Sequence, residues 1–172
     1  MPEDPVPSGA LDFDPIDRAG RLWAEHFGPD SAMRVATSVM RVQQLLLARF
    51  DATLKPYGIT FARYEVLVLL HFSRSGALPL KIVGERLQVH PTSVTNSVAR
   101  LVAAGLVARR PNPSDGRGAL ASLTDVGREV LEQATADLMR IDFGLAALSE
   151  PGRAALFDGL GAVRRAAGDF TG

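Results

Sequence analysis

The chain has 172 residues, 47% of them hydrophobic, and its 19 basic side chains balance its 19 acidic ones, so one domain with a substantial core is expected and net charge selects no partner. It contains no cysteine, which excludes disulfides, thiol redox switching and Cys-based zinc sites, and its three histidines (His26, His71, His90) share no metal-ligand spacing. No metal or cofactor is therefore expected. MPEDPVPSG has no signal-peptide pattern and no apolar run nears the ~18 residues of a membrane span, so the expected protein is soluble and cytoplasmic.

Residues 1–15, rich in proline and acid, read as a flexible leader. In IDRAGRLWAEHF (16–27), Ile16, Leu22, Trp23 and Phe27 fall near one helical face and predict a short extra helix. Ser31 is an N-cap candidate for a long amphipathic helix that carries Val35, Val39, Val42, Leu46, Phe50 and Leu54 and stops at Pro56 and Gly58. ITFARYEVLVLLHFSRS (59–75) is apolar on most sides, as a central helix would be. LPLKIVGERL (78–87) predicts a short helix with Ile82, Val83 and Leu87 inward. HPTSVTNSVARL (90–101) follows, with Pro91 at the favoured first helical position and Gly105 as a left-handed stop. Two β-like runs, 106–110 and 118–124, flank PNPSDGRG, which reads as a hairpin tip. Thr124 or Asp125 then caps a helix through Val126, Val130, Ala134, Leu138 and Ile141, and a last helix starts near Ser149–Pro151. The expected class is mainly α with a small β hairpin: a winged helix-turn-helix plus a helical region.

Charge follows this layout. Residues 1–30 carry seven acids and two bases, 31–79 two and six, 80–118 two and six, and 119–172 eight and five, so a basic middle lies between acidic ends. Such asymmetry marks a surface that faces an anion. On a helical wheel of 90–101, Val94, Val98 and Leu101 form a buried stripe. Thr92, Ser93, Asn96 and Arg100 lie opposite, with Thr95 and Ser97 on the flanks. Ser, Thr and Asn are mediocre helix formers, so something other than helix stability selects them. Short hydrogen-bonding side chains let a helix enter a major groove, where Asn pairs with adenine and Ser or Thr with several base edges. The hairpin adds Arg109, Arg110 and Arg117. Arg109 and Arg110 are read either as solvated strand ends or as phosphate contacts, and Arg117, on the tip, as a groove or phosphate contact.

The motifs YGITFARYEVLVLL, LPLKIVGERLQVHPTSVTNSVARLVAAGLV and RRPNPSDGRGALASLTDVG resemble the MarR family of winged-helix transcriptional regulators, the last matching an Asp-x-Arg wing tip followed by Leu-Thr-x-x-Gly. The resemblance implies a homodimer in which 16–55 and 126–172 are dimerisation helices around a DNA-binding lobe at 56–125, all within one domain, 16–172. It implies a repressor that binds a pseudo-palindromic operator in double-stranded DNA. Groove contacts would fall on Thr92, Ser93, Thr95 and Asn96, and a wing contact on Arg117, with Gly118 standing where many relatives have a second basic or polar residue. The extra helix with its Trp is similar to a urate-responsive branch, implying an effector pocket from Trp23, Asp51 and Arg86, with Arg21 a fourth candidate, for a small aromatic or anionic ligand. Against this stand two structural alternatives: Trp23 as a hydrophobic anchor, and Asp51–Arg86 as a salt bridge. A winged-helix protein-interaction module without DNA binding is the rival function. No enzyme is expected, since there is no Cys or His dyad, nucleotide loop or paired carboxylate motif.

Overall fold

The computed structural model describes residues 11–113 and 115–171, excluding the side chains of 115–117. It divides into two compact units, Met1–Leu47 and Ala48–Gly172. Most of the expected leader, residues 1–10, lies outside the described residues.

The first unit holds α1 (Pro15–His26) and most of α2 (Ser31–Leu54). Asp14 starts α1 by accepting the N–H groups of Ile16 (2.8 Å) and Asp17 (3.3 Å), with Pro15 at the first position, so the helix begins one residue before the predicted 16. Arg34 ties the two helices together. Its guanidinium bonds Asp17 and, at 3.3 Å, Asp30, while its stem lies so close over Gly20 that a Cβ there would sit 2.6 Å from Cδ. Ser31 is the first residue of α2 rather than its cap; the carbonyl of Asp30 accepts from Arg34 N–H at 2.9 Å. Along the expected apolar stripe only Phe50 and Leu54 are buried, and Val35, Val39 and Val42 are exposed.

In the second unit the end of α2 leads through a 3-10 turn (Lys55–Tyr57) to α3 (Phe61–His71), β1 (Leu78–Pro79), α4 (Leu80–Leu87), α5 (Pro91–Ala103), β2 (Val107–Asn112), β3 (Asp115–Leu123), α6 (Asp125–Arg140), a 3-10 turn (Asp142–Gly144) and α7 (Glu150–Ala166). The core is built from Leu54, Ile59, Tyr64, Leu67 and Leu70 against Val83, Val94, Val98, Leu101, Leu131 and Leu138, all buried. Among the described residues no helix is long and apolar enough to cross a membrane.

Three expectations are corrected here. The third helix is shorter than 59–75, because the hydroxyls of Ser73 and Ser75 both donate to the carbonyl of Ala77 (3.2 and 2.6 Å) and, with Gly76 at φ 68°, turn the chain away after His71. Leu78 and Pro79 are not helical. They pair antiparallel with Ala121 and Leu120, making a three-stranded sheet in the order β1-β3-β2 where only a hairpin was expected. The wing strands also run further than predicted, to Asn112 and from Asp115, with a register shift between Pro111 and Asn112.

Candidate nucleic-acid interface

The local chemistry of α5 follows from its ends. The Nδ1 of His90 accepts the N–H of Thr92 at 3.2 Å, and Pro91 fills the first helical position. At the other end Gly105 adopts φ 72°, Leu106 N–H returns to the carbonyl of Leu101 (3.0 Å) and Gly105 N–H to that of Val102 (2.9 Å), a complete Schellman stop. The inner stripe is as the wheel placed it, since Val94, Val98 and Leu101 are at most 1% exposed. On α4, Gly84 lets the two helices cross closely, because a Cβ there would stand 3.2 Å from Cγ2 of Val94. The outer face of α5 presents Thr92, Ser93, Thr95, Asn96 and Arg100 to solvent; the Thr95 hydroxyl donates to the Pro91 carbonyl at 3.0 Å.

The base of the wing is locked to the end of α5 by one side chain. Thr124 donates its hydroxyl to the carbonyl of Gly105 (2.7 Å) and accepts Gly127 N–H on the same oxygen (2.9 Å), while its own N–H bonds the Leu106 carbonyl (3.1 Å). Thr124, not Asp125, is therefore the cap of α6. Gly127 packs against the Leu106 backbone so closely that a Cβ would overlap the carbonyl oxygen and lie 2.9 Å from the carbonyl carbon. The Leu-Thr-x-x-Gly sequence is thus the joint that aims the wing.

Two recesses flank α5. One, of about 580 Å³, lies between α4, the start of α5 and the wing, and is lined by Lys81, Gln88, Thr95, Arg109 and Asn112 among others. The other, of about 330 Å³, is lined by Asn96, Ser97, Ala99 and Arg100 of α5 and by Arg63 of α3. The expected site residues are therefore distributed rather than pooled: Thr95 and Arg109 share the first recess, Asn96 and Arg100 the second. Arg109 and Arg110, treated alike in the sequence, point to opposite faces of the ribbon by the alternation of a strand, and the inner face belongs to Arg109, which pairs with the buried Ala121. Arg117 is in β3, but its side chain lies outside the described residues. Arg63 went unnoticed in the sequence, in a helix that is apolar on most sides.

Among the described residues, no carboxylate pairs with Arg63, Arg86, Arg100, Arg109 or Arg110. Of the expected effector residues, Asp51 accepts the N–H of Phe61 at 2.7 Å and so caps α3, and no ion pair joins it to the exposed Arg86 among the described residues. In the first unit Arg21 is paired with Asp17, and Trp23 is 40% exposed with its ring 5.0 Å from that of Phe27. Among the described residues no group of three or more His, Cys, Asp or Glu could hold a metal ion.

Comparison with known proteins adds a second line of observation. A family model described as MarR family matches residues 57–118. The HTH-type regulator YhbI of Bacillus subtilis is 30% identical over 95 residues, covering 55% of this chain and 60% of that protein. Its relative YdgJ, from the same organism, is 30% identical over 124 residues, 72% of this chain and 73% of its own length. Among solved structures, Sco5413, a MarR family transcriptional regulator from Streptomyces coelicolor, is similar with 59% identity and a TM-score of 0.76, over 82% of this chain and 98% of that one. A mutant of Escherichia coli MarR complexed with operator DNA is similar at 26% identity and a TM-score of 0.68, over 83% and 97%. Bordetella bronchiseptica BpsR, whose DNA binding is regulated by 6-hydroxynicotinic acid, is similar at 27% identity and a TM-score of 0.67, over 76% and 98%.

Proposed function

The chain belongs to the MarR family of transcriptional regulators, and we propose that it acts as a homodimeric repressor, binding a pseudo-palindromic operator and releasing it when a small aromatic or anionic effector binds. The observation that carries the DNA reading is the outer face of α5, where short hydrogen bonders stand between one recess lined by Arg109 and Lys81, with Glu85 its one acid among the described residues, and another lined by Arg63 and Arg100. Asn96 and Thr95 are of the length to reach base edges, and Arg100 and Arg109 of the type that holds phosphates. The operator-bound relative supports the same use of the fold.

The dimer is supported by apolar surface that this chain leaves uncovered. α7 has no buried residue and exposes Leu156, Phe157, Leu160 and Val163, and α2 exposes Val35, Val39, Val42 and Leu45. Amphipathic helices with such faces call for a partner surface. A two-fold axis then places two α5 helices about 34–36 Å apart, in successive major grooves. The effector reading draws support from the exposed, unpaired Arg86 and from the BpsR relative; Asp51 enters it through its second oxygen, the first being held by Phe61.

The test is fluorescence anisotropy on duplexes selected from genomic fragments, against scrambled duplexes, across a salt series, with mass measured by light scattering. Two chains per duplex, preference for the selected sequence and a steep salt dependence are expected. Equal binding of selected and scrambled DNA would remove sequence-specific regulation. Retained DNA binding in the presence of aromatic acids, 6-hydroxynicotinate and urate included, would remove effector release by this class.

A further inference from the structure

Between α3 and α5, Arg63 and Arg100 line one recess with Asn96, Ser97 and Ala99, and no acid or wing residue among the described residues lines it. Arg63 is half-buried, and neither arginine has a carboxylate or other hydrogen-bond partner among the described residues. Two guanidinium groups facing one solvent-open recess repel each other until an anion enters, and a half-buried guanidinium left unpaired gives up part of its hydration without a return bond. The arrangement persists without a local acid, in contrast to Arg34, Arg140 and Arg153, which each hold an aspartate. No carboxylate of the described residues fills the recess, which leaves it open to an anion from another molecule.

We infer that Arg63 and Arg100 form a phosphate clamp, and that the phosphate is a phosphodiester of the DNA whose bases α5 reads. The inference rests on the DNA reading above. Asn96 is the geometric reason to choose a nucleic-acid phosphate over a free one, because it lines the same recess and lies on the outer face of α5. A strand passing the recess gives its base edges to Asn96 and its backbone to the arginines. A guanidinium fork matches the two non-bridging oxygens of a phosphodiester, which carries a single charge. With Arg109 lining the opposite recess, α5 is then held between two phosphate contacts, one on each flank. Arg63 also comes with a fixed base: it sits in the first turn of α3, whose first N–H is held by Asp51 at 2.7 Å. It is a positioning residue that sets register without reading sequence.

The experiment compares the wild-type chain with Arg63→Gln and Arg63→Lys on selected and scrambled duplexes, after circular dichroism has shown that both variants fold. Arg63→Gln should weaken both duplexes by the same factor, about tenfold, and lower the salt slope by about one, with sequence preference unchanged. Arg63→Lys should restore the slope but not the full affinity, since it keeps the charge and loses the fork. A duplex with one neutral methylphosphonate, walked along each strand, should contain a single position per half-site at which Arg63→Gln no longer matters. Wild-type affinity and slope in Arg63→Gln would overturn the clamp while leaving the regulator standing. Failure of the wild-type chain to bind any duplex would overturn both together. Binding of inorganic phosphate to the DNA-free protein at constant ionic strength, lost in Arg63→Gln and without effect on duplex affinity, would assign the recess to a free anion and overturn the DNA assignment.

Discussion

Within the second unit, four of the five arginines of α6 and α7 hold an aspartate, Arg165 stacking on Phe170 instead, whereas the arginines around α5 hold none among the described residues. Arg128 pairs with Asp125, Arg140 with Asp137, Arg153 with Asp142 and Arg164 with Asp169. Around α5, Arg63, Arg86, Arg100, Arg109 and Arg110 have no such partner among the described residues. Exposed ion pairs contribute little to stability, so the pairing on α6 and α7 is chiefly neutralisation of an acidic stretch. Unpaired guanidiniums near α5, Arg109 in one recess and Arg63 with Arg100 in the other, keep a positive field that draws in a polyanion. Net charge zero therefore conceals the informative fact, which is how unevenly arginines are paired with acids.

The largest test of this contrast strikes the joint between the two regions. Gly127→Ala should destabilise the chain by about 3 kcal/mol, because the methyl overlaps the Leu106 carbonyl and forces α6 off the end of α5. Urea unfolding measures it, and a loss below about 1 kcal/mol would mean that the two regions part without strain. Next, Asn96→Ala should cost about 1–3 kcal/mol on the selected duplex and relax sequence preference. An equal loss on scrambled DNA would show that Asn96 holds backbone instead. Smaller, and aimed at the arginines themselves, Arg109→Ala should lower the salt slope by about one, while Arg140→Ala leaves it in place. Equal changes in both variants would erase the distinction between paired and unpaired cations.

The smallest effect concerns Tyr57, whose hydroxyl donates to Asp137 at 2.7 Å. That hydrogen bond, then burial and the charge of Asp137, raise its pKa against the opposing pull of Arg140. Tyr57→Phe should cost about 0.5–1.5 kcal/mol at neutral pH. Because the folded pKa is raised, this stability is fully present below the ordinary phenol value of about 10 and disappears as pH climbs through the raised one. Denaturant midpoints of the two proteins should therefore converge only in the alkaline range; convergence already at neutral pH would show that the bond contributes nothing.

Much of the fold was legible because its signals are local. Apolar spacing found the inner stripe of α5, Pro91 and Gly105 marked its ends, and Ser149 marked the start of α7, where it accepts Gly152 N–H at 3.4 Å. What escaped is non-local. β1 is two residues long, one of them proline, and exists only because β3 has a free edge beside it. Asp51 looked like a ligand or half of a salt bridge, and its capping bond spans ten residues to Phe61. Arg63 was missed because 59–75 read as a central apolar helix, and the recess that gives the side chain meaning is completed by α5. The pair Arg109 and Arg110 was visible, but which of them faces the helices depends on strand register.

Thr124 gathers three backbone groups at one corner: the Gly105 carbonyl ends α5, the Leu106 carbonyl opens the wing and the Gly127 N–H begins α6. A corner made this way couples the direction of α6 to the end of the recognition helix. In the proposed dimer, the angle at which α6 leaves that corner would govern the stride between the two DNA-reading helices. A ligand need not touch either reading face to change the operator fit; tilting α6 by a few degrees would put the helices out of step with the pitch of the duplex.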